Sequence, residues 1–395
     1  MRSLIAYALL GLIGCSGRGD RPPYASAGYR VGTGGSGYHV GTDTNCGAPP
    51  PDAGLCGNEI LPTQQDRPNL YFVIDASGSM HDPFDSTGQL KYDAAVEAIV
   101  GVLEIIGHRV SYGAALFPIG PVDIDNNYCG LPGHDMFVTR PGDSVTCSIN
   151  GKMGDVLTDF HKFLTLYGPN GGTPLSATLT ALKPTLGALP GKTAVILATD
   201  GAPNCNPNAS CSAAYCEANL DGAVLSDGTL CQDPINCCDP LVVSDGPSSC
   251  VDNIATNNAL ADLLALDIPT YVIGLPGIQP TLAAVLNSMA VSGGTARNNA
   301  TRYYEVNDSQ ALADTLRSIV TQIAISCTIT LTNAPPNWGQ VNVYLDNEEV
   351  PQAADNGWKQ IDDHTLEITG TYCTTLQTGN VFQVQVTAGC PTYVN

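Results

Sequence analysis

Positive charge is scarce in this chain. Of 395 residues only 16 are Lys or Arg, against 37 Asp or Glu, which leaves a formal net charge of −21. Nucleic acids and anionic lipid surfaces are held through a basic footprint, so both are disfavoured as partners. Histidine is sparse as well: His39, His81, His108, His134, His161 and His364 are scattered, and none stands in a nucleophile context. Neither Gly-x-Ser-x-Gly nor His-Glu-x-x-His occurs. With no positioned base or nucleophile, the chain is read as a binding module and not an enzyme. No run of eighteen apolar residues occurs, so no spanning helix is expected.

What is present is an apolar run that stops at an acid. In Tyr71-Phe-Val-Ile-Asp75-Ala-Ser77-Gly-Ser79-Met80, two hydroxyls follow the carboxylate at two-residue spacing. Such a loop aims hard oxygen donors at one point, and those donors suit Mg²⁺, Mn²⁺ or Ca²⁺. Taken alone, Asp75 before Gly-Ser reads equally well as a turn. Two later segments argue against three independent turns: Gly171-Gly-Thr173-Pro-Leu and Ala198-Thr-Asp200-Gly-Ala-Pro-Asn.

In that order the three segments resemble the von Willebrand factor type A family over residues 68–326. The resemblance implies a metal-ion-dependent adhesion site. By it, Ser77 and Ser79 ligate a divalent cation directly, Thr173 does so directly or through water, and Asp75 and Asp200 hold coordinated waters. One position is left for an acidic group of the partner, a protein or an acidic glycan. All five residues are present.

The periodicity supports the fold without the family. Residues 89–106 carry Tyr92, Ala95, Val96, Ile99, Val102, Leu103 and Ile106 at helical spacing. Residues 110–117 read as a strand and 156–167 as a helix. Residues 193–199 form an almost wholly apolar strand, as in a parallel sheet covered on both faces. Helices at 254–266, 282–289 and 309–325 alternate with extended segments at 268–273 and 303–306. Such alternation predicts an α/β fold, a doubly wound and mostly parallel sheet flanked by helices. Asp75 and Asp200 each end a strand, which places both on the carboxyl rim where such sheets bind ligands.

The amino terminus predicts a destination. A short basic start and an apolar run over residues 4–14 have signal-peptide proportions, ending in Leu12-Ile13-Gly14-Cys15. That tetrapeptide resembles a bacterial lipobox, which makes Cys15 the lipidated first residue of a mature outer-membrane lipoprotein. Cleavage elsewhere as an ordinary signal peptide is the alternative. Residues 16–66 are Gly/Pro-rich, without apolar periodicity, and read as a disordered tether. A flexible chain of about fifty residues reaches on the order of 40 Å.

Cysteine use fits an oxidising compartment. Fifteen cysteines less the lipidated one leaves fourteen, an even number. Cys46 with Cys56, Cys129 with Cys147, and Cys373 with Cys390 are the expected local bridges, with Cys327 remaining. Seven more crowd into an insertion over residues 203–250: Cys205, Cys211, Cys216, Cys231, Cys237, Cys238 and Cys250. Seven is odd, so at least one pairs outside the insertion or stays free. Zinc is the competing reading, but no repeated Cys-x-x-Cys and no His occurs there. The insertion begins just after Asp200 and is expected to cap the metal rim, the alternative being a surface loop remote from any ligand.

Residues 327–395 change character. Alternating segments such as Val341-Asn-Val-Tyr-Leu and Val381-Phe-Gln-Val-Gln-Val predict half-buried antiparallel strands in a small β-sandwich. The domain plan is thus 1–15 leader, 16–66 tether, 67–326 type A domain and 327–395 sandwich. The expected activity is cation-bridged adhesion at the cell envelope. A periplasm-facing scaffold with a structural metal is the rival, and a metal-assisted hydrolase a weaker one. One tension stands: a carboxylate partner must approach a strongly acidic protein.

Overall fold

The computed structural model describes residues 59–394, except 62, 65–66, 119–128, 131–135, 146, 148–151, 167, 221, 379–380 and 382. Cys15, Cys46 and Cys56 lie outside the described residues.

Two short strands, β1 (Glu59–Ile60) and β2 (Thr63–Gln64), precede the α/β domain. That domain runs β3 (Asn69–Asp75), α1 (Lys91–Ile106), β4 (Ser111–Phe117), β5 (Met136–Pro141), α2 (Asp155–Leu164), α3 (Leu175–Gly187) and β6 (Thr193–Thr199). After the cysteine-rich insertion come α4 (Asn253–Leu264), β7 (Thr270–Gly274), α5 (Pro280–Ser292), β8 (Tyr304–Glu305) and α6 (Ser309–Ala324). The six strands lie in the order β5-β4-β3-β6-β7-β8, all parallel except the edge strand β5.

Every residue of β3 and β6 is buried, because helices cover both faces of the sheet. The alternation of side chains sorts β3 between two cores. Leu70, Phe72 and Ile74 pack with Ile99 and Leu103 of α1, Phe160 of α2 and Leu316 of α6. Tyr71 and Val73 pack with Leu179 of α3, Leu260 of α4 and Met289 of α5. The first strand of the sheet, β3, has β4 on one side and β6 on the other, so strand order reverses between β3 and β6. That gap is the topological switch point, and Asp75 and Asp200 sit at its carboxyl end.

The carboxyl-terminal domain comprises β9 (Thr328–Leu331), β10 (Val341–Leu345), β11 (Glu348–Val350), β12 (Trp358–Gln360), β13 (Thr365–Ile368), α7 (Gly370–Gln377) and β14 (Val384–Ala388). Two four-stranded antiparallel sheets, β1-β14-β10-β11 and β12-β13-β9-β2, enclose a core that includes Leu61, Leu331, Val343, Trp358 and Val386. The tether reading of residues 16–66 is therefore corrected at its end. Residues 59–64 supply one edge strand to each sheet, pairing with β14 and β9. Two-residue strands are too short to show alternation, which is why they read as linker. Arg109, just before β4, donates to the Val381 carbonyl and so ties the two domains together.

Disulfide pairing departs from the local pattern. Cys129 bonds to Cys205, and not to Cys147, with Cα atoms 5.6 Å apart across 76 residues. Cys373 bonds to Cys327, and not to Cys390. Cys147 and Cys390 are each disulfide-bonded elsewhere. Within the insertion Cys231 pairs with Cys237. The odd count is thereby explained: Cys205 leaves the insertion, and six cysteines remain inside it. Cys211, Cys216, Cys238 and Cys250, expected as half-cystines, are unbridged. Their thiols converge instead of facing single mates, those of Cys211, Cys238 and Cys250 lying within 4.8 Å of one another. Cysteines are the insertion's core, since Cys216, Cys231, Cys237, Cys238 and Cys250 are all buried together.

Among the described residues no helix is long and apolar enough to cross a membrane. Both tryptophans of the chain, Trp338 and Trp358, lie in the sandwich, so their fluorescence reports on that domain alone. A chain beginning at residue 66 loses both edge strands and the buried Leu61, whose burial alone is worth about 2 kcal/mol. Its tryptophan-detected denaturant midpoint is expected to fall relative to a chain beginning at residue 57, by about 2–4 kcal/mol of stability.

Candidate metal centre

Asp75 closes β3 and is fully buried. Its Oδ1 accepts from the Ser77 N–H at 2.8 Å, an Asx-type turn that folds the chain back toward the rim. Its Oδ2 accepts from the Thr199 hydroxyl at 2.5 Å, which links the ends of β3 and β6 directly. The turn brings the Ser77 and Ser79 hydroxyl oxygens to 3.2 Å of each other. Ser77 lies on the buried floor, whereas Ser79 is exposed at the mouth. From there Ser79 donates to Asp200 Oδ1 at 2.8 Å. Four of the five expected ligands are thus joined side chain to side chain or through one turn.

Thr173 arrives from a separate loop docked on the first. The Gly78 N–H donates to the Gly171 carbonyl at 2.9 Å, and the Asn170 N–H to the Ala76 carbonyl at 2.7 Å. Gly171 adopts φ +88°, a left-handed backbone that favours glycine. Thr173 itself is buried and pinned on both main-chain sides by Asn204: its N–H donates to Asn204 Oδ1 at 2.7 Å, and its carbonyl accepts the Asn204 N–H at 2.9 Å. Asn204 also donates to Glu217 within the insertion.

The insertion is stitched to this rim at both ends. The Asp252 N–H donates to the Pro203 carbonyl at 2.6 Å and the Cys205 N–H to the Ser248 carbonyl at 2.9 Å. Asp252 Oδ1 accepts from Asn206 at 2.9 Å, while Oδ2 accepts from Ser176 in the first turn of α3. The insertion therefore stands beside the Thr173 loop and is not remote from it.

Three contributors to the site were not singled out from sequence: Thr199, Asn204 and Lys91. Asn204 ends the quoted Asp200-Gly-Ala-Pro-Asn segment, and Thr199 precedes it, so a signal was present for both. Lys91, the first residue of α1, gave none, because its partner lies 109 positions away. Its ammonium donates to Asp200 Oδ2 at 2.7 Å, and both side chains are almost wholly buried, 7% and 1% exposed. His81, the one histidine near the motif, is exposed.

The donor set fits a hard divalent ion. Adjacent oxygens in an octahedral shell with bonds of about 2.1 Å lie about 3 Å apart. The 3.2 Å spacing of Ser77 Oγ and Ser79 Oγ, the two expected direct ligands, matches that edge, and Asp200 accepts from Ser79 behind them. With both carboxylates ionised, Asp75 and Asp200 against Lys91 leave one net negative charge, which a cation would offset. A cleft of about 1130 Å³ lined by Arg67, Arg109 and Lys192 lies elsewhere, at the amino ends of the strands, beside Pro68, Ser111 and Thr193.

No protein-family model and no curated protein matches the chain. Among solved structures it is similar to the pilus adhesin SpaC of Lactobacillus rhamnosus GG, at 15% identity and a TM-score of 0.45. That match covers 82% of this chain and 40% of SpaC, so the chain spans well under half of SpaC's length. It is similar to the manganese-loaded TRAP protein of Plasmodium vivax at 16% identity and a TM-score of 0.34, covering 71% of this chain and 84% of TRAP. The vWF domain of the type V pili tip protein Mfa5 from Porphyromonas gingivalis matches at 11% identity and 0.35, covering 66% and 97%.

Burial, with the Asp200 charge added, pushes the Asp75 carboxyl up to about 7, against the Thr199 and Ser77 hydrogen bonds that pull it down. Between about pH 4, where an unfolded Asp titrates, and pH 7, the folded metal-free state binds the extra proton. The stability it contributes is complete below pH 4 and is lost as pH rises through 7. In chelator, the metal-free protein is expected to lose stability over that window. An Asp75→Asn variant should lack this part of the slope and be more stable than the parent at pH 8, by roughly 2–4 kcal/mol. Thermal melts from pH 4 to 8 on the pair measure it.

Proposed function

We propose that this chain is a cell-envelope lipoprotein whose α/β domain binds a protein or acidic glycan through a divalent cation at an adhesion site of the von Willebrand type A kind. The observation that carries the reading is the convergence of Asp75, Ser77, Ser79 and Asp200 at the strand-order switch, with Thr173 docked alongside. Ser77, Ser79 and Thr173 would hold Mg²⁺, Mn²⁺ or Ca²⁺ through hydroxyl oxygens, while Asp75 and Asp200 would orient water and supply charge. Bound there, the ion supplies positive charge and an open position for a carboxylate of the partner. The protein's own part is positional. The Asx turn fixes both serines, the Gly171 loop sets Thr173, and the insertion walls one side of the mouth and limits which partner fits.

We propose with it anchorage through Cys15 of the lipobox-like Leu12-Ile13-Gly14-Cys15 and outer-membrane placement; the Cys129–Cys205 and Cys327–Cys373 bridges support an oxidising compartment. One observation favours the scaffold reading instead: Lys91 already neutralises Asp200 and stiffens the loops without a metal. The two readings separate in one experiment. Calorimetric titration of the full disulfide-bonded chain with Mn²⁺ or Mg²⁺ is expected to show one saturable site. In Asp75→Ala that site should weaken by at least about tenfold, with cation-dependent attachment to acidic glycan or protein arrays lost. Undiminished attachment by the variant contradicts adhesion through the ion. Loss of thermal stability with attachment intact supports the scaffold.

A further inference from the structure

Lys91 is an unusual neighbour for a cation site. Its ammonium is 2.7 Å from Asp200 Oδ2 and 3.8 Å from Asp82 Oδ2, and only Asp82 of the three is exposed to water. The niche is built on the far side as well. Gly277, in the loop between β7 and α5, has φ +98°, and a Cβ placed there would lie 3.3 Å from Lys91 Nζ. The ammonium is therefore seated by structure and does not wander on a long stem.

The two oxygens of Asp200 are consequently divided. Oδ1 faces the serine pair and accepts from Ser79, while Oδ2 is held by Lys91. The carboxylate cannot turn both oxygens inward while that ion pair stands. Counting formal charge among the buried groups, Asp75 and Asp200 contribute two negatives and Lys91 one positive, while the Asp82 carboxylate, 67% exposed, is screened by water. A bound divalent ion then leaves a local surplus of one positive charge, whereas without Lys91 it would leave none. That surplus bears on how an acidic protein receives an acidic partner: the long-range field repels, but the mouth itself is short of one anion. At close range the local term wins, since it acts in partly buried surroundings and distant charges are screened within about 8–10 Å.

We infer that Lys91 is a specificity-determining residue, a built-in cation that weakens the site's grip on metal alone and makes tight metal binding depend on an external carboxylate. This rests on the metal-site reading above and adds to it the residue that couples ion and ligand.

The test is calorimetric titration of the full chain with Mn²⁺, in the absence and presence of acetate, on the parent and on Lys91→Met. Lys91→Gln serves as a second variant, since it keeps a donor toward Asp200 but no charge. Thermal melts establish that each is folded. In the parent, acetate is expected to tighten Mn²⁺ binding several-fold. In both variants Mn²⁺ alone should bind at least about tenfold more tightly, and the acetate effect should shrink toward none. If the parent binds Mn²⁺ and both folded variants keep its affinity and its acetate dependence, Lys91 is only a structural ion pair and the inference is overturned. Should no protein bind Mn²⁺ even with acetate, the metal-site reading itself fails and the inference with it.

Discussion

The structure turns on bringing two carboxylates to one buried point. Asp75 and Asp200 come from different strands and meet where the order of the sheet reverses, the one place a doubly wound fold leaves open above its strands. Their mutual repulsion and burial cost stability unless something compensates. Within the chain the compensation is visible. Thr199 and the Ser77 amide bond to Asp75, and Ser79 and Lys91 bond to Asp200. Those bonds satisfy hydrogen-bonding needs, but they balance only one of the two negative charges. On the proposed reading, that remaining negative charge is what a divalent ion would offset.

Everything around the site holds these groups in register. Strand β3 is buried on both faces, so Asp75 cannot shift without moving both cores. The Thr173 loop is bound to the serine loop on one side and to Asn204 on the other. Asn204 in turn reaches Glu217, and the Cys129–Cys205 bridge holds the neighbouring residue. A cross-link closing a long loop restricts the unfolded chain. Here it also fixes the base of the insertion near the carboxyl rim of the sheet. The sandwich lies away from the site, and its dependence on residues 59–64 makes it straddle the α/β domain in sequence.

Much of this was legible in the sequence, for identifiable reasons. Strand β6 matched its expected bounds because an unbroken apolar run with turn residues on both sides has one reading. The turn after Asp75 was legible because the Asp75 carboxylate takes the Ser77 N–H two residues on, a local geometry. Helix α3 was missed although Leu175, Leu179, Leu182 and Leu186 recur at helical spacing, because Pro184 interrupts the run and reads as a breaker. Edge strand β5 was missed too: with Val138 exposed and Pro141 at its end, its pattern is that of a loop. The disulfides illustrate the general limit. Spacing suggests near neighbours, but Cys129 finds Cys205 because the fold returns the chain to one rim. Lys91 is the same lesson in electrostatics, since no local pattern pairs it with Asp200.

The most direct test of the account is anomalous diffraction at the manganese edge, from crystals of the disulfide-bonded chain grown with millimolar Mn²⁺. The account predicts one strong peak bounded by Ser77 Oγ, Ser79 Oγ and the Asp200 carboxylate. No peak there at saturating metal, or a peak only among Cys211, Cys238 and Cys250, would contradict it.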